Sequence, residues 1–465
     1  MQSEKITSVC IPTCNRPESI TTCLTSLIGN LKKYSRRPRI LIVDDSENPA
    51  SAQKTKEIAA HFQKEYGGII ECMDRSDRKI FAESVSQKTG VPEEVVSFAL
   101  LGDKKAGNTV GSAENTFFLK TKGEKILIMD DDVICDFAEP TQKDNPFFTT
   151  EPPGDYWFLN DGAHPPPHLQ KTNLDLLNIH ETVLGMKPKD ILGKEAPDFL
   201  DDGKIFDSYM GFFGDSPMES HTLLLIRPQV MEQIRVTSEI DYENMKAASC
   251  LAQVPQALAL YNGPMCISMV MGVDNRDDTL PFLPVGRSSD SVFGMLRNKV
   301  FADKFSCHVP KLISHQRPSG EKRVISYNIV FDSTKMNRVI ASLAGEINIA
   351  EINTEENLKI IGRRFIDIAR LTEDKLSIFL ESHCRKITKF IGMHLDNILE
   401  NNPDMPEFWI KDIKSKKEAL KMARSEEFLS ETNGTPITNK IELLRHRFAL
   451  FGETLKNWPE IIKKT

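Results

Sequence analysis

The chain has 465 residues, 40% of them hydrophobic and 27% charged, the make-up of a folded protein and not of a disordered one. Its net charge of -7 gives no electrostatic reason to expect nucleic acid as a partner. Nine cysteines show neither metal-ligand nor disulfide-framework spacing, which suits a reducing, cytoplasmic compartment.

No apolar stretch approaches the roughly eighteen residues of a membrane span, and the N-terminus leads straight into a strand, so neither a span nor a signal peptide is expected. That first strand is predicted at about Ile6 to Ile11, with Pro12-Thr-Cys-Asn-Arg-Pro17 as a loop. Ile20, Cys23, Leu24, Leu27, Ile28 and Leu31 then recur at helical spacing, and Asn15 with Glu18 offers a capping box. Ile40-Leu-Ile-Val43 is the second strand, ended by Asp44 and Asp45. A helix through Ile58, Phe62 and Tyr66 stops at Gly67-Gly68, and a short strand follows from Ile69 to Met73. Residues 74–102 read as a polar, mostly helical insertion. A helix near Ser112 to Thr121 delivers the strand Lys125 to Met129 and three aspartates, Asp130, Asp131 and Asp132.

Short runs that are apolar throughout are buried on both faces, as in a parallel sheet covered by helices. Carboxylates just after such strands stand at the carboxyl edge, where open α/β sheets bind ligands. Clustered carboxylates repel one another unless a cation sits among them, and hard oxygen ligands suit Mg2+ or Mn2+. A metal-bound diphosphate is the ligand this pattern points to, the alternative being solvated loop residues and helix caps.

From Asp136 to about Asp202 the composition turns to Pro, Asn, Asp and Gly, read as ordered loops. Gly211-Phe-Phe-Gly214 and Asp215 precede an expected strand, His221 to Ile226, and a helix from Pro228. Gly272 to Asp278 reads as a polar stretch, followed by a helix opening near Asp290, a strand at Phe305 to Val309, and Ile313-Ser-His315. Beyond about Lys335 the periodicity is helical: Leu358, Ile361, Phe365 and Ile368 mark one helix, Leu376, Phe379, Ile387, Phe390 and Leu395 another. The expected organisation is a mainly parallel, doubly wound α/β unit over 1–330, split at about 135, and an all-α region over 331–465.

Ser8-Val-Cys-Ile-Pro-Thr-Cys-Asn-Arg-Pro17, Val43-Asp-Asp-Ser46, Gly111 to Asn115 and Gly123-Glu-Lys-Ile-Leu-Ile-Met-Asp-Asp-Asp132 together resemble the nucleotide-diphospho-sugar transferase (GT-A) fold of family 2 glycosyltransferases. The resemblance covers residues 5–135 well, 205–320 loosely and the helical C-terminus not at all. It implies transfer of a sugar from a nucleotide-diphosphate donor, UDP-sugar favoured, to a glycan, lipid-linked, peptide or small-molecule acceptor.

The same resemblance places Pro12, Thr13, Asn15 and Arg16 around the nucleoside, Asp45 against the base with Asp44 beside it, and Asn115 near the diphosphate. It makes Asp132 the direct ligand of Mn2+ or Mg2+, with Asp130 or Asp131 facing the ribose or a metal-bound water, and gives His315 a place on metal or diphosphate. Asp290 matches the acceptor-side base of an inverting transfer, with Asp215 as the other candidate. Arg287, Arg297 and Arg317 are basic residues suited to a phosphate clamp. Glu114 stands where the family often has arginine, and Ser289 where it often has glutamate. Those departures leave open a catalytically inactive sugar-nucleotide-binding scaffold. A nucleotidyltransferase is disfavoured, since a Gly-rich loop after the first strand is missing. The C-terminal helices offer an acceptor site or a homo-oligomer contact.

Overall fold

Each apolar run that precedes an acidic cluster is a central strand. The computed structural model describes residues 4–465 apart from 104–108, 143, 159–164, 167, 194–195, 198–199, 201–202, 216–235, 237, 248–249, 318–327, 350–352 and 430–439. The expected strand at His221–Ile226 and the helix from Pro228 lie outside the described residues.

The first half runs β1 (Ile6–Thr13), α1 (Pro17–Lys33), β2 (Arg39–Asp44), α2 (Pro49–Tyr66), β3 (Ile70–Met73), α3 (Arg75–Thr89), α4 (Glu93–Leu101), α5 (Val110–Lys120) and β4 (Glu124–Met129). Pro17 opens α1, where its missing N–H costs nothing. Asn48 caps α2, and left-handed Gly67 ends it. Asp74 and Asp77 form a reciprocal capping box on α3. The box expected from Asn15 and Glu18 does not form: Asn15 adopts a φ of 56° and gives its backbone N–H to Ser46 Oγ at 2.7 Å. The loop bends there to bring β1 back toward the end of β2.

The second half contributes β5 (Val133–Pro140), β6 (Phe147–Thr149), β7 (Asp155–Phe158), β8 (Leu169–Thr172), α6 (Leu176–Glu181), α7 (Pro188–Leu192), β9 (Lys204–Asp215), α8 (Glu239–Ala247), β10 (Cys250–Val254), β11 (Ala259–Tyr261), β12 (Val270–Asn275), α9 (Ser289–Val300) and β13 (Lys304–His315). Residues 136–202, expected as loops, therefore hold short strands. The polar stretch from Gly272 begins inside β12, whose six residues are all buried. Asp274 and Asn275 hid it from hydropathy: Asp274 binds Arg276 at 2.7 Å, and the Asn275 amide donates to Phe118 O and Thr121 Oγ1.

The sheet order is β3-β2-β1-β4-β12-β9-β13-β11-β6. β1 pairs in parallel with β2 and β4, and β2 with β3. β12 runs antiparallel to both β4 and β9, so β9 and its parallel neighbour β13 again run with β1. The carboxyl ends of β1, β2, β4, β9 and β13 consequently share one edge.

Alternate residues of each strand feed two apolar layers. Cys10, Leu41, Val43, Ile126 and Ile128 face α3–α5 and α9; Val9, Ile11, Ile40, Ile42 and Leu127 face α1 and α2. Side chains buried to this degree contribute about 1.5–3 kcal/mol each.

The chain ends in α10 (Ile329–Ser333), α11 (Met336–Glu346), α12 (Thr354–Ala369), α13 (Glu373–Asn401), α14 (Glu407–Met422) and α15 (Lys440–Lys464). Leu358, Ile361, Phe365 and Ile368 of α12 are buried together with Phe448, Phe451 and Leu455 of α15, in the same apolar layer as α4 and α5. α12 and α15 approach through two glycines. A Cβ on Gly362 would lie 2.5 Å from Gly452 O, and one on Gly452 2.7 Å from Gly362 O.

Candidate active site

At the carboxyl ends of β1, β2, β4 and β13 a cleft of about 300 Å3 opens. Its floor comes from Pro12 and Thr13 after β1, Asp45 after β2 and Asp130–Asp132 after β4, and its rim from Arg16, Arg287, His315 and Arg317. Of the residues singled out from sequence, Asp44, Asn15, Asn115, Asp215 and Asp290 do not line it. A larger cleft, 610 Å3, lies between α12 and α15 and holds none of them.

Asp131 Oδ2 accepts a 2.5 Å hydrogen bond from Thr13 Oγ1, and Arg16 Nη1 reaches Asp131 Oδ1 at 3.4 Å and Asp132 Oδ2 at 3.1 Å. Asp132 Oδ1 faces His315 Nε2 at 3.0 Å, with Arg317 Nε 3.7 Å from the other oxygen. Sheet register makes that meeting: β13 pairs antiparallel with β5, setting His315 opposite Val133, and Gln316 N–H donates to Asp132 O at 2.8 Å.

The three carboxyls differ in charge preference. Burial and the negative neighbours Asp132 and Asp131 hold Asp130 well above the usual carboxylate range. Burial and Asp132 push Asp131 up to about 6, against the pull of Thr13 and Arg16. Asp132, although burial opposes it, is lowered to about 2 by His315, Arg16 and Arg317. Asp132 is thus the permanent anion of the set.

His315 Nδ1 lies 2.6 Å from the Asp215 backbone carbonyl, an acceptor only, so Nδ1 carries a proton. Nε2 is left with either a second proton or a lone pair aimed at a carboxylate. Two ligand atoms 3.0 Å apart are also the separation of neighbouring octahedral positions around an ion with bonds of about 2.1 Å. The donor set therefore fits a divalent cation as well as a proton. Among the described residues no group of three His, Cys, Asp or Glu donors surrounds one point. A cation held by Asp132 and His315 would complete its shell from phosphate oxygens and water, as Mg2+-type sites commonly do.

Asp45 Oδ1 is gripped by Arg75 Nη1 at 2.5 Å and by Arg78 Nη2. Arg78 is fully buried and also donates to Leu100 O and Ser112 Oγ. The sequence reading overlooked both arginines by treating 74–102 as an insertion. Their signal was position: Arg75-Ser-Asp-Arg78 follows β3 at the same sheet edge. Ser268, which lines the cleft, was hidden with unrecognised β12.

The remaining candidates have other partners. Asp44 Oδ1 accepts from Ser46 N at 2.8 Å, folding the turn after β2. The Asn115 amide donates to Ala99 O and Phe282 O and accepts from Phe282 N, tying three backbones together. Arg297 lies deep in the sheet half on Asp207, Tyr209 and the carbonyl of Gly263, far from a phosphate clamp. Asp290 lies in the first turn of α9, where Ser288 makes no side-chain cap, and accepts from Ser291 N at 2.8 Å. Behind the cleft, burial, Asp130 and Asp290 raise Glu114 well above its usual range, at the position where the family often has arginine.

Residues 8–82 match the family model described as Glycosyl transferase family 2. The resemblance carried by the first two strands is borne out over that stretch, 75 of the 465 residues. Among solved structures, the chain is similar to the mannosyltransferase PcManGT from Pyrobaculum calidifontis in complex with GDP-Man and Mn2+. The identity is 10%, over 98% of this chain and 88% of that one, with a TM-score of 0.30, a likeness that carries no weight for substrate or metal. A comparison with curated proteins found no match.

Proposed function

We propose that this chain, with its family 2 glycosyltransferase segment, moves a sugar from a nucleoside-diphosphate donor to a hydroxyl acceptor, with Asp132 and His315 as protein ligands of Mn2+ or Mg2+. The observation that carries the reading is the 3.0 Å approach of His315 Nε2 to Asp132 Oδ1 while Nδ1 is committed to a carbonyl. With Nε2 unprotonated, two acceptors face each other there across the space of one cation. When bound, that cation neutralises charge on the departing diphosphate.

The chain's own residues supply the rest. Thr13 and Arg16 hold Asp131 in place, and Arg16, Arg287 and Arg317 surround the position of a diphosphate with guanidinium donors, which match phosphate oxygens. Asp45, steadied by Arg75 and Arg78, presents its second carboxylate oxygen to the donor's base; an imide N–H such as that of uracil suits an acceptor, so a UDP-sugar is the favoured donor. We assign the acceptor-side base of an inverting transfer to Asp290, which follows the rim residue Arg287 by three positions, with Asp215 as the alternative.

Thermal-shift titration with UDP, GDP, TDP, CMP and UDP-sugars, each with and without Mn2+, tests the reading. A ligand that binds only the folded state raises the melting temperature, by about 2.7 kcal/mol of stability at a hundredfold excess over Kd. Stabilisation by one nucleoside diphosphate that requires Mn2+ and disappears in Asp132→Ala is the expected result. No shift with any nucleotide overturns the donor assignment.

A further inference from the structure

We propose that Arg16 is a positioning residue that exchanges partners as ligands bind: it neutralises Asp131 and Asp132 in the ligand-free protein and moves to the diphosphate when a divalent cation joins Asp132. This role, which rests on the sugar-transfer reading, makes the two ligands of that site depend on each other.

The backbone that carries Arg16 is fixed. Asn15 turns with a φ of 56° and gives its N–H to Ser46 Oγ at 2.7 Å. Pro17 opens α1 and confines the residue before it, and Arg16 O accepts from Ile20 N at 3.1 Å. The side chain is looser. It is 31% exposed, where those of Asp131 and Asp132 are 6% and 5%. A single nitrogen, Nη1, serves both carboxylates, at 3.4 and 3.1 Å, outside the roughly 2.7–2.9 Å of a strong charge-assisted hydrogen bond.

Two buried carboxylates side by side need positive charge near them, and here Arg16, His315 and Arg317 supply it. Arg317 approaches Asp132 only to 3.7 Å, so Arg16 is the closer guanidinium. A divalent cation between Asp132 Oδ1 and His315 Nε2 brings positive charge to the carboxylate whose other oxygen Arg16 holds. Arg16 is then repelled by a like charge and no longer needed there. Of the groups around Asp132 it is the one able to leave, since His315 is held through Nδ1 and Arg317 is only 18% exposed. A diphosphate in the same cleft offers it a better partner, because the planar guanidinium fork matches two phosphate oxygens. A cation binding alone must turn Arg16 out into solvent, whereas a cation binding with diphosphate leaves it on a new anion. Each ligand therefore raises the affinity for the other, and by the same factor.

The test begins with Mn2+ binding to wild type, Arg16→Ala and Arg16→Lys without nucleotide, followed by loss of the paramagnetic resonance signal of the free ion. Thermal shifts with UDP, GDP and TDP at saturating Mn2+ complete it. Arg16→Ala is expected to hold Mn2+ alone at least about fivefold more tightly than wild type, the low end of ordinary coupling between sites. It should also need roughly tenfold or more of the nucleotide that stabilises wild type, having lost a charged hydrogen bond. Arg16→Lys keeps the charge but not the fork, so it should match wild type for Mn2+ and bind the nucleotide less well. Opposite shifts for the two ligands separate this role from a folding defect, which would weaken both. Unchanged or weaker Mn2+ binding by Arg16→Ala, or wild-type nucleotide affinity in that variant, overturns the exchange and leaves the sugar-transfer reading standing. No stabilisation of wild type by Mn2+ with any of the nucleotides overturns that reading, and the exchange with it.

Discussion

Asp131→Asn should stabilise the ligand-free protein at neutral pH while weakening its response to Mn2+ and nucleotide. Burial and the charge of Asp132 push Asp131 up to about 6, against an unfolded value of about 3.9. A carboxyl whose pKa is higher in the folded state binds more protons there, so its contribution to stability falls as pH rises from about 4 to about 6 and stays low above that. At pH 7 the difference of about two pH units corresponds to roughly 3 kcal/mol of destabilisation at 1.36 kcal/mol per unit. An amide of the same shape keeps the acceptor for Thr13 Oγ1 and removes that cost. With an unfolding entropy of about 2.1 cal/mol/K per residue, a chain of this length gains about 3 °C in Tm. Melting curves of wild type and variant from pH 4 to 8 provide the assay. The variant's advantage should be full at pH 7 and vanish near pH 4, where wild-type Asp131 is protonated. With Mn2+ and a nucleoside diphosphate the order should reverse at pH 7. A variant less stable than wild type at pH 7, or an advantage that does not change with pH, refutes the reasoning.

Asp290→Asn should reduce sugar transfer by about 10²–10⁴-fold, the usual worth of a positioned base, with nucleotide thermal shifts unchanged; near-normal transfer removes Asp290 from that role. Arg78→Met leaves Arg75 as the one remaining guanidinium on Asp45 and frees Leu100 O, and loss of one partner of a buried ion pair costs up to about 3–5 kcal/mol. Denaturant titration should show that loss together with weaker discrimination among nucleotides, and an unchanged midpoint would contradict it. Gly362→Ala puts a methyl against Gly452 O and forces α12 and α15 apart, at about 1–3 kcal/mol. The check is a lower melting temperature with nucleotide affinity unaltered, and a variant as stable as wild type would show that the crossing can relax.

The sequence by itself determined the local elements and the chemistry they carry. Ile40–Val43 and Ile126–Met129 are apolar at every position, a pattern that only a strand covered on both faces satisfies, so the carboxylates after them had to stand at a sheet edge. The stripe Leu358, Ile361, Phe365 and Ile368 likewise specifies a helix and the side it buries. Charge inside strands was misleading: Asp274 and Asn275 look like a turn until Arg276 and the carbonyl of Phe118 are placed beside them. Asn115 looked like a ligand-binding residue and is a clasp between backbones, because which group an amide meets depends on the chain folded against it. Only the tertiary structure brought His315 to Asp132, through the pairing of β13 with β5, and Arg75 and Arg78 to Asp45. Side-chain periodicity states which face of an element is buried, but the partner across a sheet is set by pairing register between distant segments, a choice that no local pattern encodes.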